Sequence, residues 1–305
     1  MKDDFYKELD ALYESGTPQQ VEQFLSRKAE AYNNAQPRHL DGYIAAMNEL
    51  GSFYRGRGRF AESVEVFLRA KTMWEATSRK DDQSYAILLN NLAGTYRMDG
   101  ENGKALSLYL QSLAIYENLS SYDAYSHASL LNNIALVYEQ TGDTAKAIDY
   151  TQQAMEEMVD LNPIAYAISS SNLASLLLRE GKEEDAKAAV RQALNIFTQN
   201  QYEDDPHFAA ALNVAAFLDV VENNYAGAIE KYRRAADITK SCNGENNDFI
   251  TICMNLSKTC MRMGQAAEAE RYYQIALAAA QTLYGETSEH FTKIKEENPL
   301  AGEEA

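Results

Sequence analysis

The sequence predicts an all-α protein made of stacked pairs of antiparallel helices, and three observations support this prediction. A short pattern returns every 39 to 42 residues along the 305-residue chain, apolar side chains lie three or four residues apart, and prolines number only 5. A spacing of three to four residues indicates helices, because it places apolar side chains on one helical face. A period of this length is typical of repeat architectures, in which each copy buries its apolar face against the next.

The repeat is clearest at a small residue that follows an asparagine-rich stretch. It is found at Gly51, Ala93, Ala135, Ala174, Ala216 and Ser257. Seven residues after each of them stands a residue that tolerates the left-handed backbone conformation in which helices often end. These turn residues are Gly58, Gly100, Gly142, Gly181, Asn223 and Gly264. The helices on either side of the turn are therefore expected to fold back on each other.

Each second helix carries a small residue five positions after the turn and usually a large one four positions later. The small residues are Ser63, Ala105, Ala147, Ala186, Ala228 and Ala269, and the later ones Phe67, Tyr109, Thr151, Val190, Tyr232 and Tyr273. Small residues let helices approach closely, and large ones fill the space between them. Two first helices have clear starts, because a capping side chain precedes a proline at Asn162 and at Asp205.

The two ends of the chain depart from this pattern. Residues 1–38 are expected to form a degenerate helical hairpin that turns at residues 16–18, followed by six full repeats over residues 39–286. Residues 287–298 are predicted to form a single capping helix, and residues 299–305 a disordered tail. Atypical end units are common in repeat proteins, because one of their faces meets water. The prediction is therefore about seven units plus a C-terminal capping helix.

The charge of the chain disfavours two classes of partner. With 28 basic and 45 acidic side chains the net charge is −17, so the surface repels nucleic-acid phosphates and anionic membranes. A DNA-reading helix-turn-helix in residues 1–40 is disfavoured as well, because they hold 5 basic and 7 acidic groups. No basic and apolar leader opens the sequence, and no run of 18 apolar residues follows. A cytoplasmic protein without nucleic-acid or membrane partners is expected.

The most complete copy of the repeat covers residues 90–113, NNLAGTYRMDGENGKALSLYLQSL. This order of residues resembles the tetratricopeptide repeat (TPR), and the 42-residue period is most similar to the long repeats of kinesin light chains and related bacterial proteins. The resemblance covers roughly residues 40–297. It implies a right-handed superhelical solenoid whose first helices line a concave groove that binds peptides or protein segments. Departures from the family pattern at Asn223, Ser63, Thr151 and Val190 are expected to loosen local packing without breaking the stack.

The resemblance places two adjacent asparagine-rich positions of each first helix in this groove. Their asparagines are Asn48, Asn90, Asn91, Asn132, Asn133, Asn172, Asn213 and Asn255. Asparagine is a mediocre helix former, so this enrichment needs a reason. An amide offers two N–H donors and a carbonyl acceptor, which suit both groups of an extended peptide backbone. Alternatively, these amides bond to the neighbouring repeat and only fix the pitch of the superhelix.

Basic side chains gather at other groove positions of this acidic chain. They are Arg55, Arg97, Arg179, Lys258 and Arg262. They favour an acidic peptide or a terminal carboxylate, because arginine can give a carboxylate two parallel hydrogen bonds. The alternative is that they form solvated or intrahelical ion pairs. Chaperone-binding relatives hold a terminal carboxylate with a lysine at the first asparagine position, and no repeat here has one.

Residues for catalysis or for a metal do not assemble in the sequence. The three cysteines, Cys242, Cys253 and Cys260, have no metal-ligand spacing and are predicted to be packed thiols in a reducing compartment. The 4 histidines are scattered over different repeats, and no phosphate-binding glycine loop or nucleophile motif is found. The chain is therefore predicted to be non-enzymatic and to need neither cofactor nor metal.

The resulting prediction is a module that binds a protein or peptide segment in its concave groove, where the basic side chains favour an acidic segment. A structural adaptor that uses its convex face, or that self-associates into a homo-oligomer through its ends, is the first alternative. A sensor of small signalling peptides is the second.

Overall fold

The computed structural model describes residues 2–77, 79 and 82–299, and this part of the chain contains fifteen α-helices and no β-strand. The helices are α1 (Lys2–Ser15), α2 (Pro18–Asn34), α3 (Leu40–Arg55), α4 (Phe60–Glu75), α5 (Gln83–Met98), α6 (Asn102–Asn118), α7 (Ala124–Thr141), α8 (Thr144–Met158), α9 (Pro163–Arg179), α10 (Glu183–Gln199), α11 (Pro206–Val221), α12 (Tyr225–Asn243), α13 (Asn247–Arg262), α14 (Ala266–Tyr284) and α15 (Glu289–Glu296). The all-α prediction is confirmed. Of the predicted tail, only Pro299 is among the described residues.

The turns inside the helix pairs have the backbone geometry that the sequence predicts. Every turn glycine has a positive φ, between 70° and 84°, and Asn223 has a φ of 62°. These values lie in the left-handed region, where glycine has no steric penalty and asparagine a small one. The first and second helices of a pair therefore pack against each other after a very short connection, as α3 does with α4 and α11 with α12.

The predicted helix starts are also found. The side chain of Asn162 accepts a hydrogen bond from the backbone N–H of Ala165 at 3.0 Å, and Asp205 caps α11 in the same way. At the N-terminal hairpin Thr17 and Gln20 form a reciprocal capping box. Among the described residues no helix is both long and apolar enough to cross a membrane.

The chain divides into two compact units, Met1–Tyr150 and Thr151–Ala305. In unit 1 the small and large repeat positions interlock: a Cβ added to Gly51 would lie 2.5 Å from the ring of Phe67, so no side chain fits there. Ser63 is fully buried. Its hydroxyl donates a hydrogen bond to the backbone carbonyl of Gly51 at 2.7 Å and lies 3.0 Å from the hydroxyl of Thr95. The serine that stands here in place of the usual alanine therefore adds hydrogen bonds, and the expected loosening of the packing is not seen at Ser63.

Unit 2 has the same arrangement in its own core. Ala186, Ala193 and Phe197 are fully buried on α10, and Val190 is 3% exposed between them. The hydroxyl of Ser257 donates to the carbonyl of Ala269 at 2.7 Å, which ties α13 to its second helix α14. Each unit thus builds its core from the positions that recur along the sequence.

Candidate functional site

The first helices of neighbouring repeats lie side by side within each unit. In unit 1, α5 contacts α3 and α7, and in unit 2, α11 contacts α9 and α13. We call the faces that carry the asparagine-rich positions the first-helix surface of unit 1 and of unit 2. Residues four and seven apart on a helix share a face, so the basic positions that follow the asparagines belong to the same surfaces.

The asparagine side chains form hydrogen-bonded pairs between successive first helices. In unit 1, Nδ2 of Asn91 donates to Oδ1 of Asn48 at 3.3 Å, and Nδ2 of Asn133 donates to Oδ1 of Asn90 at 3.0 Å. In unit 2, Nδ2 of Asn255 donates to Oδ1 of Asn213 at 3.4 Å. The direction of the hydrogen bond is the same in all three pairs: the asparagine at the second position of one repeat donates to the asparagine at the first position of the repeat before it.

Each pair uses only part of the hydrogen-bonding capacity of its two amides. The amide at the first position keeps two N–H donors, and the amide at the second position keeps one N–H and its carbonyl oxygen. The residues of the pairs are half-buried rather than enclosed. The two alternatives drawn from the sequence are therefore compatible, because one amide pair can link two repeats and still offer a donor and an acceptor to a ligand.

Several groove positions break the series of pairs. Glu49 stands at the second asparagine position of its repeat, and its burial raises the pKa of the carboxyl, with a further increase from Asp10. Ser171 at a first position is buried, and Asn172 beside it is exposed. Asn132 is half-buried and makes an interaction of its own.

Arg55 reaches the neighbouring first helix, α5. Its Nη1 donates to the backbone carbonyl of Asn91 at 2.9 Å, and burial lowers its pKa, an effect that the nearby Arg97 reinforces. An ideal Cβ on Gly94 would stand 3.0 Å from this Nη1. The glycine in the middle of α5 is thus the residue that leaves room for the guanidinium group of Arg55.

Arg97 lies next to the hydroxyl of Tyr109, a residue of the second helix α6 that is 0% exposed. Burial raises the pKa of this hydroxyl, and Arg97 and Arg55 oppose the increase. The Arg97 side chain interacts with the Tyr109 hydroxyl, and the buried Nε of Arg97 has no hydrogen-bond partner within the described residues. Sequence reasoning identified both arginines but missed Tyr109, because its repeat position marks it only as a core residue.

The basic residues of unit 2 are more exposed. Lys258 forms an ion pair with Glu297 at 2.6 Å, with 44% and 59% of their side chains exposed. The ion-pair alternative therefore holds for Lys258, and such an exposed pair contributes little stability. Arg262 is exposed at the end of α13, and Arg179 is exposed and already has an interaction partner.

Apolar side chains are exposed where unit 2 has its first-helix surface. Phe217 is 46% exposed and Val221 38%, and they follow Asn213 at four-residue intervals on α11. Their spacing alone fits a buried helical face equally well, so the sequence did not indicate their exposure.

The cysteine prediction is partly wrong. Cys253 and Cys260 are buried, and burial raises the pKa of the Cys253 thiol to about 12. Cys242, by contrast, is exposed near the end of α12, where its Sγ contacts the carbonyl of Asp204 at 3.2 Å. No group of three or more potential metal ligands occurs in residues 2–77, 79 and 82–299.

Comparison with known proteins agrees with this geometry. Two tetratricopeptide repeat family models match the chain, one over residues 43–118 and 126–199 and the other over residues 249–291. The chain therefore belongs to the tetratricopeptide repeat family, whose repeats build protein-interaction scaffolds that are generally non-enzymatic. No curated protein matches the chain significantly.

Solved structures with the same fold include BtubC (BKLC) from P. vanneervenii, with a TM-score of 0.58 and 21% identity over 75% of this chain and 91% of that one. The TPR-like repeats of a Podosopora anserina protein named as a kinesin light chain have a TM-score of 0.54 and 19% identity, over 66% of this chain and 96% of that one. The apo form of the quorum sensor NprR from B. thuringiensis has a TM-score of 0.61 and 15% identity, over 90% of this chain and 86% of that one. These likenesses show the fold, and the predicted repeat solenoid is confirmed.

Proposed function

We propose that this chain is a non-enzymatic module that holds an extended segment of a partner protein against its first helices. The asparagine pairs carry the proposal. Asn48 with Asn91 and Asn90 with Asn133 place donors and an acceptor on one half-buried face of unit 1. An extended peptide needs such alternating partners for its own N–H and C=O groups, and buried peptide groups without them would cost free energy.

The grip on a backbone is independent of the ligand's sequence, so any preference must come from neighbouring side chains. In unit 1 these are Arg55 and Arg97, which favour acidic segments. Rising salt should weaken the acidic component of binding and leave the amide component almost unchanged. A reducing, cytoplasmic compartment is part of the proposal, because the three cysteines are unpaired.

The test separates the two roles of an asparagine pair. In Asn48→Asp and Asn90→Asp the side chain keeps the oxygen that accepts from Asn91 or Asn133 but loses both N–H donors. The double variant should therefore fold normally and bind peptides about tenfold more weakly, since each lost hydrogen bond is worth about 0.5–1.5 kcal/mol. Asn195→Asp, an exposed change of the same charge on the second helix α10, is the matched control.

Suitable ligands are neutral, acetylated and amidated peptides selected on the wild-type chain from a random library. Affinities for wild type, double variant and control are measured by isothermal titration calorimetry. Methylating the backbone nitrogens of the selected peptides should weaken binding to the wild type as much as the double substitution does. Equal binding by all three proteins would contradict the proposal and leave the asparagines as links between repeats.

A further inference from the structure

We propose that a cleft between the second helices α2 and α4 of unit 1 binds a lysine side chain of a partner protein. The cleft has α3 as its floor and opens on the second-helix side of the unit, and we call it the α2–α4 cleft. Its residues are separate from the asparagine pairs. The proposal goes beyond peptide binding on the first helices, because it adds a second site whose ligand is a cation with an aliphatic stem.

The first step concerns the shape of the cleft. Its volume is about 260 Å³, whereas sites for drug-sized ligands have roughly 300–1,000 Å³. Its apolar lining comes from all three helices and consists of Ala29, Met47, Leu50 and Val66. A lysine side chain fits such a site, because its four-carbon stem can lie on apolar surface while the ammonium group reaches polar partners.

The second step concerns charge. Glu30 of α2 and Glu65 of α4 line the cleft, and within the part of the chain that the structure describes neither forms a hydrogen bond or an ion pair. A third carboxylate of the lining, Glu62, is already paired, because Nε of Arg59 donates to it at 2.6 Å. Arg69 also lines the cleft and opposes this charge. The carboxylates outnumber it, so the cleft favours a cation.

The corresponding cleft of the next repeat shows that the fold does not require these carboxylates. It lies between α4 and α6, where the positions of Glu62 and Glu65 hold Lys104 and Ser107. The packing of the repeats therefore leaves the charge of this surface open. The acidity is a property of the α2–α4 cleft itself.

The third step concerns a buried tyrosine. Tyr43 lines the α2–α4 cleft and is 5% exposed, and its hydroxyl has no hydrogen-bond partner among the described residues. Tyr85, at the same position of the next repeat, donates its hydroxyl to Glu75 at 3.0 Å. The hydroxyl of a buried tyrosine usually finds such a partner. A lysine in the cleft would supply one, because its ammonium group can donate to the Tyr43 oxygen.

The arrangement of these acceptors favours lysine over arginine. Glu30, Tyr43 and Glu65 come from three different helices, α2, α3 and α4. An ammonium group has three N–H donors that point in separate directions, whereas a planar guanidinium group is best matched by the two oxygens of one carboxylate. The net charge of −17 also attracts a basic partner over a longer distance.

The test uses three short probes that differ in one side chain. They are acetyl-Gly-Lys-Gly amide, its norleucine analogue, which lacks only the ammonium group, and acetyl-Gly-Glu-Gly amide. They are titrated at about 0.15 M salt, which screens exposed charges elsewhere. The protein carries ¹³C-labelled methionine methyl groups, whose resonances are followed by NMR. Met47 reports on the cleft, and the exposed Met263 of unit 2 reports on binding elsewhere.

We expect the lysine probe to shift the Met47 resonance in a saturable manner and to bind at least tenfold more tightly than the norleucine analogue. The glutamate probe should leave Met47 unmoved. Glu30→Gln combined with Glu65→Gln should abolish the preference for lysine. Glu117→Gln combined with Glu230→Gln is the matched control, because it removes the same charge from exposed positions of the second helices α6 and α12. The control should keep the preference.

A pair of tyrosine variants separates binding from stability. Tyr43→Phe should weaken lysine binding about tenfold, because a hydrogen bond to a charged group is lost, and should not lower the melting temperature. Tyr85→Phe should do the reverse, because its hydroxyl bonds within the chain. Arg69→Gln should tighten lysine binding, since it removes a like charge from the cleft.

A Met47 resonance that the lysine probe leaves unmoved would overturn the site, and so would equal binding of the lysine and norleucine probes. A preference for lysine that survives the Glu30→Gln, Glu65→Gln variant would place the cation elsewhere. Tighter binding of the glutamate probe than of the lysine probe would assign the cleft to Arg69 and contradict the proposal. None of these results depends on the peptide-binding proposal, which is tested on the other helices. Thermal melting of each variant verifies that the fold persists.

Discussion

The two units share one feature of their first-helix surfaces and differ in another. Both have asparagine pairs, at 3.0 to 3.3 Å in unit 1 and 3.4 Å in unit 2. One turn further along, unit 1 has Gly94 and Arg97, whereas the same repeat positions of unit 2 hold Phe217 and Val220. Unit 1 therefore presents half-buried arginines, and unit 2 an exposed aromatic ring.

This difference separates two tasks that a repeat performs. Core positions and turns are nearly the same in every copy, because each pair of helices must pack against its neighbours. Surface positions carry no such constraint and can vary between copies. Under the proposed function, both surfaces hold a peptide backbone through their asparagine pairs, and the side chains beside the pairs favour acidic residues in unit 1 and apolar ones next to Phe217 in unit 2.

The largest expected effect comes from truncating a large buried side chain at equivalent core positions of the two units. Trp74 and Phe197 each follow the small second-helix residue of their repeat by eleven positions and are fully buried against Tyr85 and Phe208. Trp74→Ala and Phe197→Ala should each destabilise the chain by about 3–5 kcal/mol. Urea unfolding followed by circular dichroism measures this.

The same two variants then show which unit binds which ligand. In urea that partly unfolds each variant, Trp74→Ala should lose more of its binding to an acidic peptide, acetylated tetraglutamate amide, than Phe197→Ala does. The reverse order would show that the acidic preference does not belong to unit 1.

A smaller effect is expected from Phe217. Replacing it with alanine removes an aromatic contact from the first-helix surface of unit 2, so peptides with apolar side chains should bind about 1–2 kcal/mol more weakly. Binding of tetraglutamate should not change. The exposed Tyr202, outside the first helices, supplies the control variant Tyr202→Ala. If Phe217→Ala and Tyr202→Ala affect both ligands equally, the difference between the surfaces is not functional.

The turns distinguish the units by a comparable amount. Gly142 has a φ of 84°, which disfavours any side chain, so Gly142→Ala should cost about 1 kcal/mol of folding free energy. Asn223 already has a side chain in this conformation, and Asn223→Gly should change stability by only a few tenths of a kcal/mol. The free energies of unfolding in urea of each variant and of the wild type measure both changes. If Asn223→Gly loses more than a few tenths of a kcal/mol of stability, the Asn223 side chain has another role.

The smallest effect concerns pH in unit 1. Because burial raises the pKa of Glu49 above its ordinary value of 4.5, the folded state keeps the proton to a higher pH than the unfolded state does. Stability is therefore lost as pH rises from 4.5 through the folded pKa. Glu49→Gln should be more stable than wild type at pH 7 and should approach it at low pH. Glu65→Gln, an exposed change on α4, is the control, and a constant difference at all pH values would contradict this assignment.

The elements of the fold could be predicted because they depend on local signals. A glycine seven residues after a small residue ends one helix, and Asn162 before Pro163 begins another, each through contacts within a single turn of the chain. The periodic spacing of apolar residues indicates the helices between these signals. Even the unusual turn at Asn223 was predictable, since asparagine tolerates the left-handed conformation.

The contacts within the candidate site could not be predicted, because they depend on how successive repeats are placed against each other. The sequence indicated Asn48 and Asn91 as groove residues, but their mutual hydrogen bond depends on the offset between α3 and α5. The interaction of the Tyr109 hydroxyl with Arg97 depends in the same way on how α5 packs against α6. The exposure of Phe217 and Cys242 depends in the same way on what their neighbours leave uncovered, which no local pattern encodes.

The most direct measurement is of the asparagine side chains themselves. In ¹⁵N–¹H correlation spectra, addition of a selected neutral peptide should shift the Nδ2 resonances of Asn48 and Asn90 in a saturable manner and leave that of Asn195 in place. Shifts confined to Asn195 or to other second-helix residues, with Asn48 and Asn90 unmoved at saturation, would contradict a peptide held on the first helices.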